Sequence, residues 1–264
     1  NPRPRALRFC AASRLDLMEP LRLDRLLVER GLAASRPRAE WLIAEHGVKV
    51  NGTIVHKPGK KVPADAVLEP LGEELPWVSR GAPNLIAALD QFDLDPSGRN
   101  ILDLGASTGG FTEVCLHRNA AHVHAVDVGS GQLSNNLKSD PRVKNLEQLN
   151  LKDLRREHLD PTPNTVVIDL SFISLSHVWP RLTQWVSPQG WGVALVKPQF
   201  EVGQKHLGRN GIVRDDKIRN KALLRCIAEA EAEGFTCTAP IDSPIEGASG
   251  NREFLLHFSW GQAG

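Results

Sequence analysis

The sequence predicts an α/β protein in which a small α+β domain precedes a larger, Rossmann-like domain with a mostly parallel sheet of seven strands. From residue 100 onward, apolar runs of strand length alternate with helical patterns, as is typical of parallel sheets covered by helices on both faces. A glycine-rich bend, GASTGG, directly follows the first of these runs. The 264 residues exceed one typical domain, which leaves room for a separate module in front.

The front of the chain predicts two short helices packed on a hairpin. The stretch LRLDRLLVER at residues 21–30 places three leucines on one helical face, with charges elsewhere. Ser35 is an N-cap candidate for a second helix. The Asn51-Gly52 pair between two β-rich triplets indicates the two-residue turn of a hairpin. Together these elements define a unit that spans residues 21–69.

This front unit is also the basic part of the chain. Residues 1–69 hold 13 Lys and Arg against 8 Asp and Glu, a net +5, whereas the remainder holds 19 against 23, a net −4. An excess of positive charge on a small unit favours an anionic partner such as nucleic acid. The residues expected to contact RNA phosphates are Arg22, Arg25, Arg36, Arg38, Lys49, Lys60 and Lys61.

The stretch RLDRLLVERGLAASRPRAEWLIAEHGVKVNG resembles the small RNA-binding domain named after the fourth protein of the small ribosomal subunit. The resemblance covers residues 21–69 and implies recognition of structured RNA. Residues 1–20 are expected to be a tail or an upstream extension. Residues 70–79, with two prolines and two acids, are expected to be a linker to the main domain at residues 80–264.

Composition narrows the classes of function. The four cysteines are scattered and no two have metal-ligand spacing, so neither a metal site nor a disulfide framework is expected. A reduced, cytoplasmic setting fits this cysteine usage. No apolar run approaches the roughly 18 residues of a membrane span, so no membrane partner is expected.

Seven strands and three longer helices are expected in the main domain. The strand candidates lie at residues 101–105, 122–127, 143–147, 165–170, 191–197, 236–241 and 252–258. The helix candidates lie at residues 110–119, 174–187 and 215–233. Parallel sheets bind ligands at the carboxyl ends of their strands, so polar residues at those ends are the site candidates.

Three ligand classes compete for the glycine-rich bend. A nicotinamide or flavin fingerprint needs glycine at its middle position, where this chain has Ser107, and a serine there obstructs the approach of a pyrophosphate. A serine-hydrolase elbow matches the letters G-x-S-x-G, but that fold places the elbow after several strands. S-adenosylmethionine has no pyrophosphate, and Asp127, 22 residues after Gly105, stands where an acid accepts from ribose hydroxyls.

The third interpretation fits the bend best. The residues expected to bind S-adenosylmethionine are Gly105, Ala106, Ser107, Thr108, Gly109, Gly110, Phe111, Asp127, Val128 and Asn150.

Two further strand ends carry groups with catalytic chemistry. Asp169 ends the run TVVID, and Lys197 ends the run GVALVK. Both are expected on the same rim as Gly105 and Asp127. Methyl transfer from a sulfonium to a ribose hydroxyl is an in-line displacement that requires alignment and benefits from a base. A lysine acts as such a base when desolvation or nearby cations lower its pKa.

The motifs DLGASTGGFTEV, AVDVGSGQL, IDLSFISL, LVKPQFEVG, GIVRD and SPIEGASGNREFLLHF resemble the TlyA family. That family joins the front RNA-binding module to an FtsJ-like methyltransferase domain. The resemblance implies S-adenosylmethionine-dependent 2′-O-methylation of ribose, with ribosomal RNA or ribosomal subunits as the partner. It also implies a Lys-Asp-Lys-Glu tetrad, in which the Asp is Asp169, the second Lys is Lys197 and the Glu is Glu253. Asn84 stands where the first lysine belongs.

Two alternatives stay open beside the enzyme hypothesis. The degenerate position Asn84 makes the chain a candidate for an RNA- and S-adenosylmethionine-binding protein with weakened catalysis. Because members of the family carry a haemolysin label, membrane lysis is the other alternative. The lack of an apolar span and of a strongly basic amphipathic helix disfavours it.

Overall fold

The computed structural model describes residues 19–72, 76–247 and 250–261. The chain divides into two compact units between residues 75 and 76. Residues 1–18, which make up most of the predicted tail, lie outside the described residues. Within the described ranges, no helix is both long and apolar enough to cross a membrane. The same ranges contain no group of three or more His, Cys, Asp or Glu side chains arranged to hold a metal ion.

The first unit has two helices and two small sheets. Its elements are β1 (Leu21–Arg22), α1 (Leu23–Glu29), α2 (Arg36–Glu45), β2 (Val48–Val50), β3 (Thr53–Val55), β4 (Lys61–Val62) and β5 (Leu68–Pro70). Strand β1 pairs with β4, and β2 lies between β3 and β5. Asn51 and Gly52 have φ values of 49° and 82°, as a type I′ turn requires, so the predicted hairpin is confirmed.

Sequence patterning explains the core of this unit. Leu23, Leu26 and Leu27 are all buried, which is the helical face that the leucine spacing predicts. Ser35 occupies the N-cap position of α2, but its side chain makes no capping hydrogen bond.

The segment predicted as a linker, residues 70–79, is shorter in the structure. Pro70 lies in β5, where it is paired with Val48 of β2. Trp77 and Val78 pack against the apolar core of the second unit. Both ends of the segment therefore belong to folded units.

The second unit is a sheet with helices on both faces. Its strands are β6 (Asn100–Leu104), β7 (His122–Val126), β8 (Val143–Leu146), β9 (Thr165–Ile168), β10 (Gly190–Val196), β11 (Thr236–Cys237), β12 (Ile241–Asp242) and β13 (Phe254–Trp260). Its α-helices are α3 (Ala82–Gln91), α4 (Gly110–His117), α5 (Asn135–Lys138), α6 (Trp179–Trp185), α7 (Pro198–Glu201) and α8 (Asp216–Ala232). Short 3₁₀ helices occur at Arg156–His158, Leu175–His177, Gln204–His206 and Arg209–Gly211.

The sheet has eight strands rather than the predicted seven. Its order is β11-β13-β10-β9-β6-β7-β8, with β12 also paired to β13. The strand predicted at residues 236–241 is two short strands, β11 and β12, which pair with different parts of β13. Pro240 lies between them, and because proline has no N–H to donate, it interrupts the ladder. The five strands β10, β9, β6, β7 and β8 are parallel, as predicted, and β13 is antiparallel to its neighbours.

Two further differences concern helices of the second unit. The single helix predicted at residues 174–187 is a 3₁₀ turn followed by the shorter α6. Helix α3 was not among the predicted elements.

Alternation along the strands builds two apolar layers. Leu102 and Leu104 of β6 pack in one layer with Trp179 and Trp185 of α6. Ile101, on the opposite face, packs in the other layer with residues of α3 and α4. From the central strand β6, the chain proceeds to β7 and β8 on one side and returns to β9 and β10 on the other. Such a reversal of direction opens a crevice at the carboxyl ends of the strands.

Candidate functional site

One edge of the sheet collects the predicted site residues. Gly105, Asp127, Asp169 and Lys197 each follow directly after the last residue of a parallel strand. Glu253 directly precedes β13, whose first residue pairs with the last residue of β10. The strand order therefore places these residues along one rim, in the sequence Glu253, Lys197, Asp169, Gly105, Asp127.

At two positions, the glycine-rich bend has a positive φ, a backbone conformation that only glycine adopts easily. Gly105 has a φ of 89°, and a Cβ there would collide with the carbonyl oxygen of Asp169. Gly109 has a φ of 102°, and a Cβ there would collide with Leu137. Glycine at these positions therefore lets the bend pack closely against the residue after β9 and against α5.

Asp127 ties the bend to the end of β7. One carboxylate oxygen accepts from the backbone N–H of Ser107 at 2.8 Å, and the other accepts from that of Gly129 at 2.7 Å. Each carboxylate oxygen has two lone pairs, so both retain capacity for a further donor. This is the geometry of a carboxylate that is held in place and still able to bind hydroxyl groups.

A cavity of about 600 Å³ opens at this rim. Of the predicted ligand-binding residues, its lining includes Gly105, Ser107, Asp127, Val128 and Asn150. Asp169 and the side chain of Phe172, which is 90% exposed, also belong to the lining. The other predicted residues, Ala106, Thr108, Gly109, Gly110 and Phe111, are not part of the lining and lie within the bend and the start of α4. They shape the bend rather than face the cavity.

A second crevice of about 590 Å³ lies at the amino ends of the strands. Its walls include Arg99, Asn164 and Trp191, and it contains none of the predicted site residues. The guanidinium of Arg99 lies 6.0 Å from the Trp191 ring centre. The two crevices are similar in volume, but only the one at the carboxyl ends is lined by the predicted acids Asp127 and Asp169.

Lys197 and Asp169 form an ion pair at the end of the cavity. The Lys197 Nζ lies 2.6 Å from Asp169 Oδ1 and donates to the Ser171 hydroxyl at 3.0 Å. The two side chains are 13% and 24% exposed, so the pair is accessible to a substrate and yet largely shielded from water. Ser171 was not predicted from the sequence, although it lies in the IDLSFISL motif.

Glu253 is buried beside this pair. Its Oε1 accepts from the Gln199 side-chain amide at 2.8 Å. Burial raises the pKa of Glu253, while the positive charge of Lys197 and the Gln199 hydrogen bond oppose that rise. Gln199 was also not predicted, and its only signal is its place two residues after Lys197.

Asn84 lies close to the same group but brings no charge to it. Its side chain is buried, and its Oδ1 accepts from the Ser243 hydroxyl at 2.7 Å. The Ser243 backbone N–H in turn donates to the Glu253 carbonyl at 2.9 Å. Position 84 is therefore adjacent to the predicted tetrad, and it is held by a neutral hydrogen bond.

Asp103 is a buried acid that the sequence interpretation missed. It is fully buried on β6, and one carboxyl oxygen accepts from the Thr112 hydroxyl at 2.6 Å. Burial raises the pKa of Asp103 to about 7, against the effect of the Thr112 hydrogen bond. Its other oxygen has no hydrogen-bond partner among the described residues. An acid inside the apolar run ILDL is the signal that could have identified it.

In the first unit, the predicted RNA contacts are mostly paired with acids. Asp24 is fully buried and accepts from Arg22 at 2.6 Å and from Arg36 at 3.1 Å. Burial opposes ionisation of this carboxyl, but the two arginines prevail and lower its pKa to about 2. The remaining placements are Arg25 paired with Glu29, Lys49 paired with Glu69, Arg38 half-buried on α2, and Lys60 and Lys61 exposed.

Comparisons with known proteins agree with this geometry. Residues 77–260 match the family model described as FtsJ-like methyltransferase, and residues 21–68 match the S4 domain. The 16S/23S rRNA (cytidine-2′-O)-methyltransferase TlyA of Mycobacterium tuberculosis is 45% identical over 236 residues, which are 89% of this chain and 88% of that protein. Hemolysin A of Brachyspira hyodysenteriae is 36% identical over 239 residues, which are 90% of this chain and 99% of that protein.

A solved structure supports the same relationship. A protein from Streptococcus thermophilus, named as a hemolysin, has a TM-score of 0.75 at 40% identity, over 94% of this chain and 90% of that chain. The identity and the coverage together exceed what a shared fold alone requires. The chain therefore belongs to the TlyA family of FtsJ-like methyltransferases.

Proposed function

We propose that this protein transfers a methyl group from S-adenosylmethionine to the ribose 2′-hydroxyl of a nucleotide in ribosomal RNA. One observation supports this most directly: the glycine bend, Asp127 and Asp169 line one cavity, and Lys197 is paired with Asp169 on the same rim. The Mycobacterium tuberculosis relative is named for methylation of cytidine in 16S and 23S rRNA. Cytidine is accordingly the first nucleotide to test.

The residues present suit S-adenosylmethionine. A cavity of about 600 Å³ is in the range of small-molecule sites. Gly105 lines this cavity at the place expected for the amino-acid end, and the fixed carboxylate of Asp127 has acceptor capacity left for the two ribose hydroxyls. When bound, S-adenosylmethionine supplies a methyl group on a positively charged sulfur.

The ion pair at the rim provides the groups that the substrate hydroxyl needs. Lys197 and Asp169 present one donor and one acceptor side by side, 2.6 Å apart, and so can orient a hydroxyl that binds between them and the cavity. Bound S-adenosylmethionine would give its methyl group to the ribose oxygen and keep the carbon–sulfur electron pair on sulfur. Lys197 would accept the hydroxyl proton after passing a proton of its own to Asp169 across their 2.6 Å contact. Glu253, next to them, interacts electrostatically with Lys197 and accepts from the Gln199 side-chain amide.

Transfer of tritiated methyl groups to purified ribosomal subunits tests the proposal. Label from S-adenosylmethionine should appear in 16S or 23S rRNA, and digestion to nucleosides should place it on a 2′-O-methylated nucleoside. Label on a base, or no label on either subunit despite measurable binding of S-adenosylmethionine, would contradict the proposal.

Removing the charge of Asp127 should weaken binding of S-adenosylmethionine. In Asp127→Asn one carboxylate oxygen becomes an amide nitrogen, which cannot accept from a hydroxyl. Because hydrogen bonds to charged groups contribute about 1.5–3 kcal/mol, we expect the dissociation constant to rise on the order of 10- to 100-fold by calorimetry. Asp95→Asn is the matched control, since Asp95 also accepts from a loop N–H, that of Ser97, but does not line the cavity. An unchanged constant in Asp127→Asn would remove Asp127 from the binding site.

An exposed aromatic ring at the cavity suggests how the target nucleotide is held. The Phe172 side chain is 90% exposed, and its ring centre lies 5.0 Å from that of Phe200. Stacking of a base on an aromatic side chain contributes about 1–3 kcal/mol. We expect Phe172→Ala to raise the KM for RNA by roughly 10-fold or more and, although Phe172 also lines the cavity, to change the affinity for S-adenosylmethionine less than the KM for RNA. Leu224→Ala, which removes an exposed apolar side chain from α8, should change neither.

A weakened catalyst remains the second candidate function, because Asn84 is neutral, buried and bonded to Ser243. In that case the protein would bind RNA and S-adenosylmethionine with little turnover. Wild-type protein that binds both but transfers methyl groups only after an Asn84→Lys substitution would favour this alternative.

A further inference from the structure

The rim has an excess of negative charge for a site that receives RNA. Asp127, Asp169 and Glu253 lie along it, and Lys197 is already paired with Asp169 at 2.6 Å. With Asn84 neutral, position 84 supplies no second lysine to balance these acids. An incoming ribose carries phosphates on both sides, and phosphates near carboxylates are repelled unless a cation lies between them. The site therefore requires another positive group close to the target nucleotide.

Arg80 is placed where such a group is needed. It comes two residues before α3, and its neighbour Gly81 lies against the active carboxylate, since a Cβ on Gly81 would be 3.1 Å from Asp169 Oδ2. One terminal nitrogen, Nη2, donates to the carbonyl oxygen of Glu246 at 3.1 Å. The next residue, Gly247, lies against the Glu253 carboxylate. Arg80 is thus held between the elements that carry Asp169 and Glu253.

The guanidinium of Arg80 has unused donor capacity. Its Nε is buried and makes no hydrogen bond to any residue in the described parts of the chain. A buried N–H without a partner is unfavourable, and arginine has five such donors in a planar fork. Phosphate oxygens fit that fork better than any other group in RNA. Arg80 is only half-buried, and the Glu246 carbonyl accepts from Nη2 alone, so the terminal nitrogens, and not the buried Nε, are the donors that a phosphate can reach.

We propose that Arg80 binds the phosphate next to the methylated ribose and so supplies the positive charge that Asn84 does not. The inference rests on the proposed function, because it assumes that the rim receives RNA. Arg80 holds the nucleotide in line through its phosphate, while Lys197 and Asp169 act on the hydroxyl.

Three substitutions test this role. Arg80→Gln removes the charge but keeps hydrogen-bonding capacity, Arg80→Lys keeps the charge but loses the fork, and Arg118→Gln is the control. Arg118 is also partly exposed and paired, with Asp90 at 2.6 Å, but it directly follows α4, at the opposite end of that helix from the glycine-rich bend. We expect Arg80→Gln to lower kcat/KM for ribosomal subunits on the order of 100-fold, with an intermediate loss in Arg80→Lys and none in Arg118→Gln.

Two further readouts separate a phosphate contact from a structural role of Arg80 at the Glu246 carbonyl. The affinity for S-adenosylmethionine should stay within twofold of wild type in Arg80→Gln. The plot of the logarithm of RNA affinity against the logarithm of salt concentration should become less steep by about one unit, because one phosphate contact is lost. Loss of S-adenosylmethionine affinity together with an unchanged salt slope would overturn the proposal.

A rescue experiment tests the relation to position 84. In the Arg80→Gln background, Asn84→Lys should restore kcat/KM at least tenfold, because it returns a cation to the same part of the rim. Failure to restore activity, or retention of activity within threefold in Arg80→Gln alone, would show that Arg80 does not supply the missing charge. If the wild type transfers no methyl group, the proposed function fails first, and the salt slope of RNA binding still decides whether Arg80 contacts a phosphate.

Discussion

Substitution Lys197→Met should reduce methyl transfer to ribosomal RNA on the order of 10²- to 10⁴-fold, the usual contribution of a group that handles a proton in the transition state. The methionine keeps most of the apolar stem but removes the nitrogen that lies 2.6 Å from Asp169 and 3.0 Å from Ser171. The hydroxyl then loses both its orientation and the route for its proton. Affinity for S-adenosylmethionine should be unchanged, because Lys197 does not line the cavity.

Two comparisons make this result interpretable. Lys221→Met removes an exposed lysine from α8 and should leave methyl transfer unchanged. Lys197→Arg keeps the positive charge but has no amine that can give up and take a proton near neutral pH, so it should stay close to the Met variant in activity. Robust transfer by Lys197→Met would remove Lys197 from the reaction. Robust transfer by Lys197→Arg alone would show that charge, and not proton transfer, is its contribution.

The buried acid Asp103 should make the folded protein less stable as the pH rises from about 4 to about 7. Burial raises the pKa of Asp103 from 3.8 to about 7, so in this range the folded chain keeps a proton that the unfolded chain has lost. A difference of about three pKa units corresponds to about 4 kcal/mol in the free energy of unfolding. Nearly all of this stability has been lost once the pH has risen to slightly above 7. Of this, about 3 kcal/mol falls between pH 5 and pH 8.

Asp103→Asn should remove this dependence, because an amide does not titrate and its oxygen still accepts from Thr112. Urea denaturation at pH 5 and pH 8 should show that the variant gains stability relative to wild type as the pH increases. Asp90→Asn, at an exposed position, controls for the loss of one carboxylate. A difference between wild type and Asp103→Asn that is the same at both pH values would show that Asp103 is ionised in the folded chain throughout.

Much of the second unit could be predicted because the sequence patterns that indicate its strands are local. Apolar runs give the parallel strands, and the residue that ends each run lies at the rim wherever the sheet is parallel. For this reason Gly105, Asp127, Asp169 and Lys197 were predicted together, and the structure places them together. The split of residues 236–241 into two strands was missed because it depends on which part of β13 each half pairs with.

The pairings that determine the charge of the site could not be predicted. The bond between Asn84 and Ser243 joins positions 159 residues apart, and no local pattern indicates it. The same holds for Gln199 and Glu253, which are 54 residues apart. In the first unit the sequence shows an excess of basic residues, but only the fold shows that Arg22 and Arg36 share one buried carboxylate. The composition gives the number of charged residues, but the folded contacts determine which of those charges are already paired and which can contact RNA.

The position of β13 inside the sheet sets the order in which the site is completed during synthesis. Residues 105–173 hold every group that lines the cavity, so a nascent chain can build that part early. Glu253 and the seven residues of β13, all of which pair with β10, emerge from the ribosome much later. An unfinished chain therefore lacks both the last acid of the rim and the strand that covers β10. A chain that stops before residue 253 therefore cannot complete the rim, and we expect such a fragment to transfer no methyl groups.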